Sequence, residues 1–273
     1  MIMNPNLQER KKKIILRDEN ILIYIDWSLI YHNNAMKKGT IGILGGMGPE
    51  ATAAFFSMLV RFDNATSDQD HLHIIVDSDP SIPDRTRYLL ESGPNPLPAM
   101  LGSARRLIAA GADIAGMPCM TAHALLDQLR HNCTLHILSA FEETSIALKE
   151  ISPPIRNLGI LATRGTRQAM LFETAFPDKN IVWPDEALHQ SLVMEAIYGS
   201  KGIKAGNLGN EPKHLLLEAV HILQNQGAEA IVAGCTEVPL VLSQKDIDMP
   251  FIDPMYHLAR ALVSTARKET FER

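Results

Sequence analysis

From Thr40 onward, short apolar runs rich in β-branched residues alternate with stretches in which apolar residues recur with a helical period. The short runs predict strands at 41–44, 72–76, 113–117, 135–138, 158–162, 181–183 and 230–233. The helical periods predict a helix that opens at Pro49 and further helices at 100–110, 121–130, 166–176, 186–198, 212–226 and 254–268. Five prolines predict a loop-rich stretch from residue 80 to residue 98. Strands that alternate with helices favour an α/β fold with parallel sheets covered on both faces.

The second half of the chain repeats the plan of the first. Gly42 lies in the run IGIL and Gly159 in the run LGIL. The spacing from Gly42 to Cys119 is 77 residues, and the spacing from Gly159 to Cys235 is 76. Each cysteine follows a predicted buried strand. The repeat therefore predicts two similar α/β halves, related by a pseudo-dyad, with a cysteine at the same place in each half.

The predicted organisation has three parts. Residues 1–36 form an N-terminal extension, which we expect to be dispensable for folding and activity. Residues 37–135 together with 250–273 form the first α/β domain, and residues 136–249 form the second.

Two equivalent cysteines can act on one small molecule. Ligands of open α/β sheets bind beyond the carboxyl ends of the strands, where Cys119 and Cys235 are predicted to lie. The helix expected after each cysteine would lower the pKa of the thiol through its free N–H groups and dipole. A thiolate on one face of a tetrahedral carbon and a thiol on the other can remove and return a proton with inversion.

Other interpretations of the cysteines remain open. A free cysteine is commonly a small buried hydrophobe, although a matched pair makes this weaker. Cys119 and His123 are four residues apart, but one cysteine and one histidine do not make a tetrahedral zinc site, so we expect no metal. Cys133 has no counterpart in the repeat, and we interpret it as structural.

Composition narrows the class of protein. The chain has 273 residues, of which 46% are hydrophobic, and 26 basic against 31 acidic residues give a net charge of −5. These values exclude a disordered chain and give no electrostatic footprint for nucleic acid. Three cysteines are too few for a secreted disulfide scaffold, so we expect reduced thiols in a cytoplasmic protein. The apolar run Ile21–Tyr31 contains Asp26 and is too short to span a membrane.

Five motifs carry a family resemblance. They lie at residues 41–52 (IGILGGMGPEAT), 82–86 (IPDRT), 118–123 (PCMTAH), 159–166 (GILATRGT) and 234–239 (GCTEVP). In this order they resemble the cofactor-independent aspartate/glutamate racemase family over about residues 40–260. Glutamate racemases typically carry His after the second Cys-Thr pair, whereas Glu237 stands here, which favours the aspartate racemase branch.

The resemblance implies two Rossmann-like domains with the active site between them, no pyridoxal phosphate, no metal and a homodimer. Cys119 and Cys235 would be the catalytic acid and base. Arg85 would bind the side-chain carboxylate of a dicarboxylic amino acid, and Lys204 would bind a carboxylate. The full set of candidate substrate-binding residues is Met47, Gly48, Arg85, Met120, Thr121, Thr163, Lys204, Thr236 and Glu237.

Plainer roles stay open for several candidates. The Gly45–Gly48 turn suits an anion through its N–H groups, but it is also a tight strand–helix connection. Arg85 could be a surface arginine in a proline-rich loop, and Lys204 a solvated loop lysine. Thr121 and Thr236 could bind substrate or cap helices.

Met120 departs from the family pattern, which has Asn after the first cysteine. An amide can donate to a carboxylate and accept from an ammonium, whereas a thioether does neither well. We expect a racemase that interconverts L- and D-aspartate, or glutamate, with reduced or altered activity. The alternatives are a non-catalytic amino-acid-binding protein of the same fold and a related decarboxylase or isomerase with another substrate.

Overall fold

The computed structural model describes residues 38–268, and the predicted extension at 1–36 lies outside them. Two four-stranded parallel sheets form the framework. The first consists of β1 (Ile41–Gly45), β2 (Ile74–Ser78), β3 (Ile114–Gly116) and β4 (His136–Ile137). The second consists of β5 (Asn157–Ile160), β6 (Asn180–Val182), β7 (Ala230–Val232) and β8 (Phe251–Ile252). The strand orders β2-β1-β3-β4 and β6-β5-β7-β8 are the same, which confirms the predicted α/β fold of two similar parallel-sheet halves.

Helices flank both sheets. They are α1 (Pro49–Phe62), α2 (Arg85–Glu91), α3 (Leu97–Ala110), α4 (Leu126–Asn132), α5 (Ala140–Lys149), α6 (Arg164–Gln168), α7 (Leu171–Ala175), α8 (Glu186–Leu188), α9 (Glu195–Tyr198), α10 (Asn210–Asn225) and α11 (Pro254–Lys268). A π-helical segment, His189–Met194, joins α8 to α9. Among the helices of residues 38–268, none has both the length and the apolar character needed to cross a bilayer.

The structure corrects several predicted elements. The second strand begins two residues later than predicted, and α2 lies inside the stretch predicted as loop, where Asp84 caps its first turn. The predicted helix at 166–176 is two short helices, because Met170 between them has a positive φ of 50°. The predicted helix at 121–130 begins as a 3₁₀ helix, Thr121–Leu125. The sequence reading missed α5 and the two-residue strand β8.

Two strands fall on the other side of the predicted domain boundaries. β4 pairs with β3, so the first sheet extends beyond residue 135. β8 pairs with β7, so residues 251–252 belong to the second sheet although 250–273 were predicted for the first domain. After β8 the chain crosses back, since α11 packs on α1, α5 and β3.

One apolar core joins the two halves. It combines inward side chains of β1 and β3 with those of β5 and β7, and the aromatic rings of Phe141 and Phe172 meet within it at 5.0 Å. Burial of each such side chain stabilises the fold by about 1.5–3 kcal/mol. The same core therefore holds the carboxyl ends of both sheets in place.

The turn after β1 depends on a glycine. Gly46 has a φ of +90°, and a Cβ atom there would collide with the backbone of Asp79. The hydroxyl of Thr52 accepts a hydrogen bond from the Gly46 N–H at 2.9 Å and donates one to the Gly48 carbonyl at 2.8 Å. The turn at residues 46–48 is thus fixed in its close approach to the loop that follows β2.

We expect Gly46→Ala to lower the free energy of unfolding by about 3 kcal/mol, because positive φ and a backbone collision act together. Gly227→Ala is the matched control, since Gly227 has the same φ of +90° with open space around it. It should cost only about 1 kcal/mol. Urea unfolding measures both, and equal losses would contradict the packing described for Gly46.

Candidate functional site

The residues that follow the strands meet in one small enclosed cavity. Cys119 lies three residues after β3 and Cys235 three residues after β7. The cavity is lined by Met47, Arg85, Cys119, Met120, Thr121, Thr163, Tyr198, Lys204, Cys235, Thr236 and Glu237. Ten of the eleven residues predicted from sequence are in this lining. The eleventh, Gly48, lines an adjoining cleft.

The cleft and the cavity are neighbours. The cleft has a volume of about 430 Å³, whereas the enclosed cavity has about 10 Å³ free. Met47, Arg85, Lys204 and Glu237 line both spaces. These four residues therefore form the boundary between the cysteines and the outer cleft.

Arg85 is held by backbone carbonyls. Its two terminal nitrogens donate to the carbonyls of Ile82 (3.2 Å), Pro83 (3.0 Å) and Met47 (3.0 Å). Burial alone would lower the pKa of Arg85, but the neighbouring Cys119 sulfur and Asp84 carboxylate raise it overall. Arg85 is therefore a buried, fixed cation and not a surface arginine.

One donor of Arg85 is unused. Its buried Nε has no hydrogen-bond partner among residues 38–268. Such an unpaired donor costs roughly 1–3 kcal/mol. An oxygen atom of a bound anion could satisfy it.

A carboxylate lies beside Cys235. The thiol donates a hydrogen bond to Oε2 of Glu237 at 2.8 Å, and the Thr236 hydroxyl donates to the same oxygen at 3.1 Å. The ammonium of Lys204 donates to Oε1 at 2.5 Å. Burial by itself would lower the pKa of Lys204, but Glu237 and the two cysteine sulfurs together outweigh it, so the pKa is raised and the lysine stays charged. Lys204 is thus an ion-paired residue of the site and not a solvated loop lysine.

The pKa of Cys235 is shifted in the direction opposite to the prediction. Burial raises it well above its ordinary value, and the Glu237 carboxylate raises it further. The helix expected after Cys235 is a 3₁₀ turn, Val238–Leu240. Desolvation and a neighbouring negative charge therefore prevail over any helix-end effect.

The backbone of Cys119 is held by a neutral histidine. Nδ1 of His123 lies 2.9 Å from the carbonyl oxygen of Cys119, and Nε2 accepts from the N–H of Ala140 at 3.1 Å. Since Nε2 is the acceptor, Nδ1 carries the proton. Burial lowers the pKa of His123 to about 4. Both ring nitrogens are engaged by the backbone, so His123 acts as a structural histidine.

Threonine hydroxyls from both halves of the fold meet at one wall of the cavity. Thr121 lies 3.0 Å from Thr163 and 2.9 Å from Thr166, hydroxyl to hydroxyl. Thr163 also accepts from the N–H of Thr166 as the cap of α6. Met120 is buried and belongs to the apolar core. Thr121 and Thr163 thus join the two halves, and Thr163 also caps α6.

Sequence reasoning missed Tyr198 and Asp84. The Tyr198 hydroxyl donates to Oδ2 of Asp84 at 3.0 Å, which links the second half to the helix that begins with Arg85. The ammonium of Lys204 lies 5.4 Å from the centroid of the Tyr198 ring. Burial and the Asp84 carboxylate raise the pKa of Tyr198 above its usual range, so it remains a donor. The signal available for Asp84 was its place in the motif at residues 82–86, directly before Arg85.

Known proteins share this architecture. A family model described as Asp/Glu/Hydantoin racemase matches residues 44–262. The broad specificity amino-acid racemase RacX of Bacillus subtilis is 27% identical over 231 residues, which cover 82% of this chain and 97% of that protein. The Picrophilus torridus aspartate racemase superposes with a TM-score of 0.71 and 28% identity, over 85% of this chain and 96% of that one.

A further solved structure shares the fold alone. An aspartate racemase homologue from Pyrococcus horikoshii OT3 has a TM-score of 0.66 at 21% identity. The match covers 85% of this chain and 100% of that one. The similarity therefore extends over both halves of the fold.

We expect the stability of the protein to fall between pH 6.5 and pH 4 in part through His123. The unfolded chain takes up a proton near pH 6.5, but the buried ring does so only near pH 4. This difference removes about 3 kcal/mol of unfolding free energy across the window. His123→Gln should remove this part of the pH dependence in urea unfolding, with exposed His214→Gln as the control. An unchanged pH dependence in His123→Gln would contradict the assignment.

Proposed function

This chain belongs to the Asp/Glu/hydantoin racemase family, and we propose that it interconverts the L and D forms of an acidic amino acid, with aspartate as the first candidate. The observation that carries the proposal is that Cys119 and Cys235, one from each half, line the same enclosed cavity. In the proposed reaction the two sulfur atoms exchange the α-hydrogen without pyridoxal phosphate.

The proposed chemistry needs one thiolate and one thiol. Cys235 supplies the thiol, because its proton is held in a hydrogen bond to Glu237. The base for this direction of reaction is then Cys119. Cys119 removes the α-hydrogen as a proton, and Cys235 donates its proton to the opposite face of the carbanion. The two steps invert the carbon atom, and the reverse direction exchanges the roles.

The contacts of the two cations favour a dicarboxylic substrate. Lys204 is already paired with Glu237, whereas the guanidinium of Arg85 is held by backbone carbonyls. A side-chain carboxylate of the amino acid would give Arg85 an anionic partner. We propose that the unused Nε of Arg85 binds the side-chain carboxylate and that Lys204 binds a carboxylate from the other side.

In the proposed reaction the site opens to admit the substrate. The enclosed cavity has about 10 Å³ free, room for about one water molecule. The outer cleft of about 430 Å³ is the proposed entrance, since Arg85, Lys204 and Glu237 line both spaces. Closure around the substrate would then exclude water from the reacting atoms.

A second candidate is a racemase with a wider range of substrates. Met47 and Met120 give the cavity two apolar thioether walls, and thioethers adapt to irregular shapes. The relative from Bacillus subtilis bears the name of a broad specificity amino-acid racemase. Racemisation of neutral amino acids at rates equal to aspartate would favour this candidate.

We expect Cys119→Ala and Cys235→Ala each to lower the rate of aspartate racemisation by at least about a thousandfold, since each removes one proton-transferring group. Chiral chromatography of reactions started from L-aspartate, D-aspartate, glutamate and a neutral amino acid measures the rates. Cys133→Ala is the matched control and should keep full activity, because Cys133 lies outside the cavity.

Full activity in either active-site variant would overturn the two-cysteine assignment. Binding of aspartate by the wild-type protein without any turnover would instead support a non-catalytic amino-acid-binding protein.

A further inference from the structure

Glu237 faces two spaces at once. It lines the enclosed cavity that contains both cysteines, and it also lines the outer cleft. The residue is only 4% exposed. A single carboxylate therefore connects the outer cleft with the Cys235 thiol.

The two oxygens of Glu237 have different partners. Oε2 accepts from the Cys235 thiol at 2.8 Å and from Thr236, whereas Oε1 accepts from Lys204 at 2.5 Å. Arg85, Cys119 and Tyr198 are further ionisable groups that line the cavity, and Tyr198 acts as a neutral donor. One oxygen is therefore in contact with the reacting thiol, and the other is in contact with the cation at the cleft boundary.

The proposed reaction leaves the protein in a changed protonation state. The reaction begins with Cys119 as the thiolate and Cys235 as the thiol. When it is complete, Cys119 is a thiol that carries the former α-hydrogen, and Cys235 is a thiolate. Another substrate molecule of the same hand cannot react until Cys235 regains a proton and Cys119 loses one. In this state the thiolate and the Glu237 carboxylate are adjacent anions, and their repulsion favours protonation of the sulfur.

We propose that Glu237 is the proton relay that restores the Cys235 thiol between turnovers, an inference that rests on the proposed racemase function. Water in the outer cleft gives a proton to the carboxylate. Oε2 then releases that proton to Sγ of Cys235 as the S–H bond forms, and Glu237 returns to its ionised form. Cys119 gives its proton back to water, so protons balance and no electrons are transferred.

The relay serves one half of the site. Glu237 lies two residues after Cys235. The equivalent position, two residues after Cys119, is Thr121, whose hydroxyl forms hydrogen bonds with those of Thr163 and Thr166. A threonine hydroxyl cannot hold a spare proton as a carboxylate does. The two cysteines are therefore reset by different routes, although the fold around them repeats.

The test compares wild type with Glu237→Gln, using aspartate as substrate from either enantiomer. The amide keeps the size of the side chain but cannot carry a proton. We expect kcat to fall by about a hundredfold while kcat/KM changes much less, because resetting of the free enzyme limits only turnover at high substrate. Added formate or imidazole should raise kcat of the variant by supplying the missing acid, and should not raise kcat of wild type.

Glu237→Asp is the second variant in case the glutamine variant does not fold. It keeps a charge for Lys204 but withdraws the carboxylate from Cys235, so kcat should again fall and again respond to added acid. Equal losses of kcat and kcat/KM without rescue, or an aspartate variant with the kcat of wild type, would overturn the relay. If the variants give either of these results while wild type racemises aspartate, the relay is wrong and the proposed racemase function stands. If wild type racemises neither aspartate nor glutamate, both the proposed function and the relay are wrong.

Discussion

The candidate site depends on a negative charge that is buried and fully partnered. Glu237 is almost inaccessible to solvent, and an isolated carboxylate in such a place would be strongly unfavourable. The ammonium of Lys204 compensates the charge, and the Cys235 thiol and Thr236 hydroxyl complete the hydrogen bonding. The same contacts join the Lys204 segment to the end of β7. The two cysteines are chemically different, because the Cys235 sulfur contacts the Glu237 carboxylate whereas Cys119 lies near the Arg85 cation.

The repeat of the fold explains why such a site can exist. Parallel strands end at the same edge of each sheet, and the shared core holds those edges of the two sheets in place. Each cysteine then reaches the cavity from its own half. Residues that differ between the two halves add the differences on which the chemistry depends. Glu237 has a threonine, Thr121, as its counterpart after Cys119, and Tyr198 is joined to Asp84 by a hydrogen bond.

Much of the site could be predicted from sequence, because the matched spacing and the family motifs both concern residues near strand ends. The elements α5 and β8 were missed for different reasons: the first lies between two recognised strands without a strong period, and the second is two residues long. The direction of the Cys235 pKa shift could not be predicted, since it depends on burial and on the distance to Glu237. Tyr198 was missed because its role comes from a contact with Asp84, which is 114 residues away in the chain.

The central claim is that two different sulfur atoms act on opposite faces of one carbon atom. It is tested most directly by incubating the protein with L-aspartate in deuterated water and analysing both enantiomers early in the reaction. The account predicts that D-aspartate carries deuterium at the α-carbon while the remaining L-aspartate is largely unexchanged. Deuterium in recovered L-aspartate without formation of D-aspartate would indicate a single base and would contradict the account.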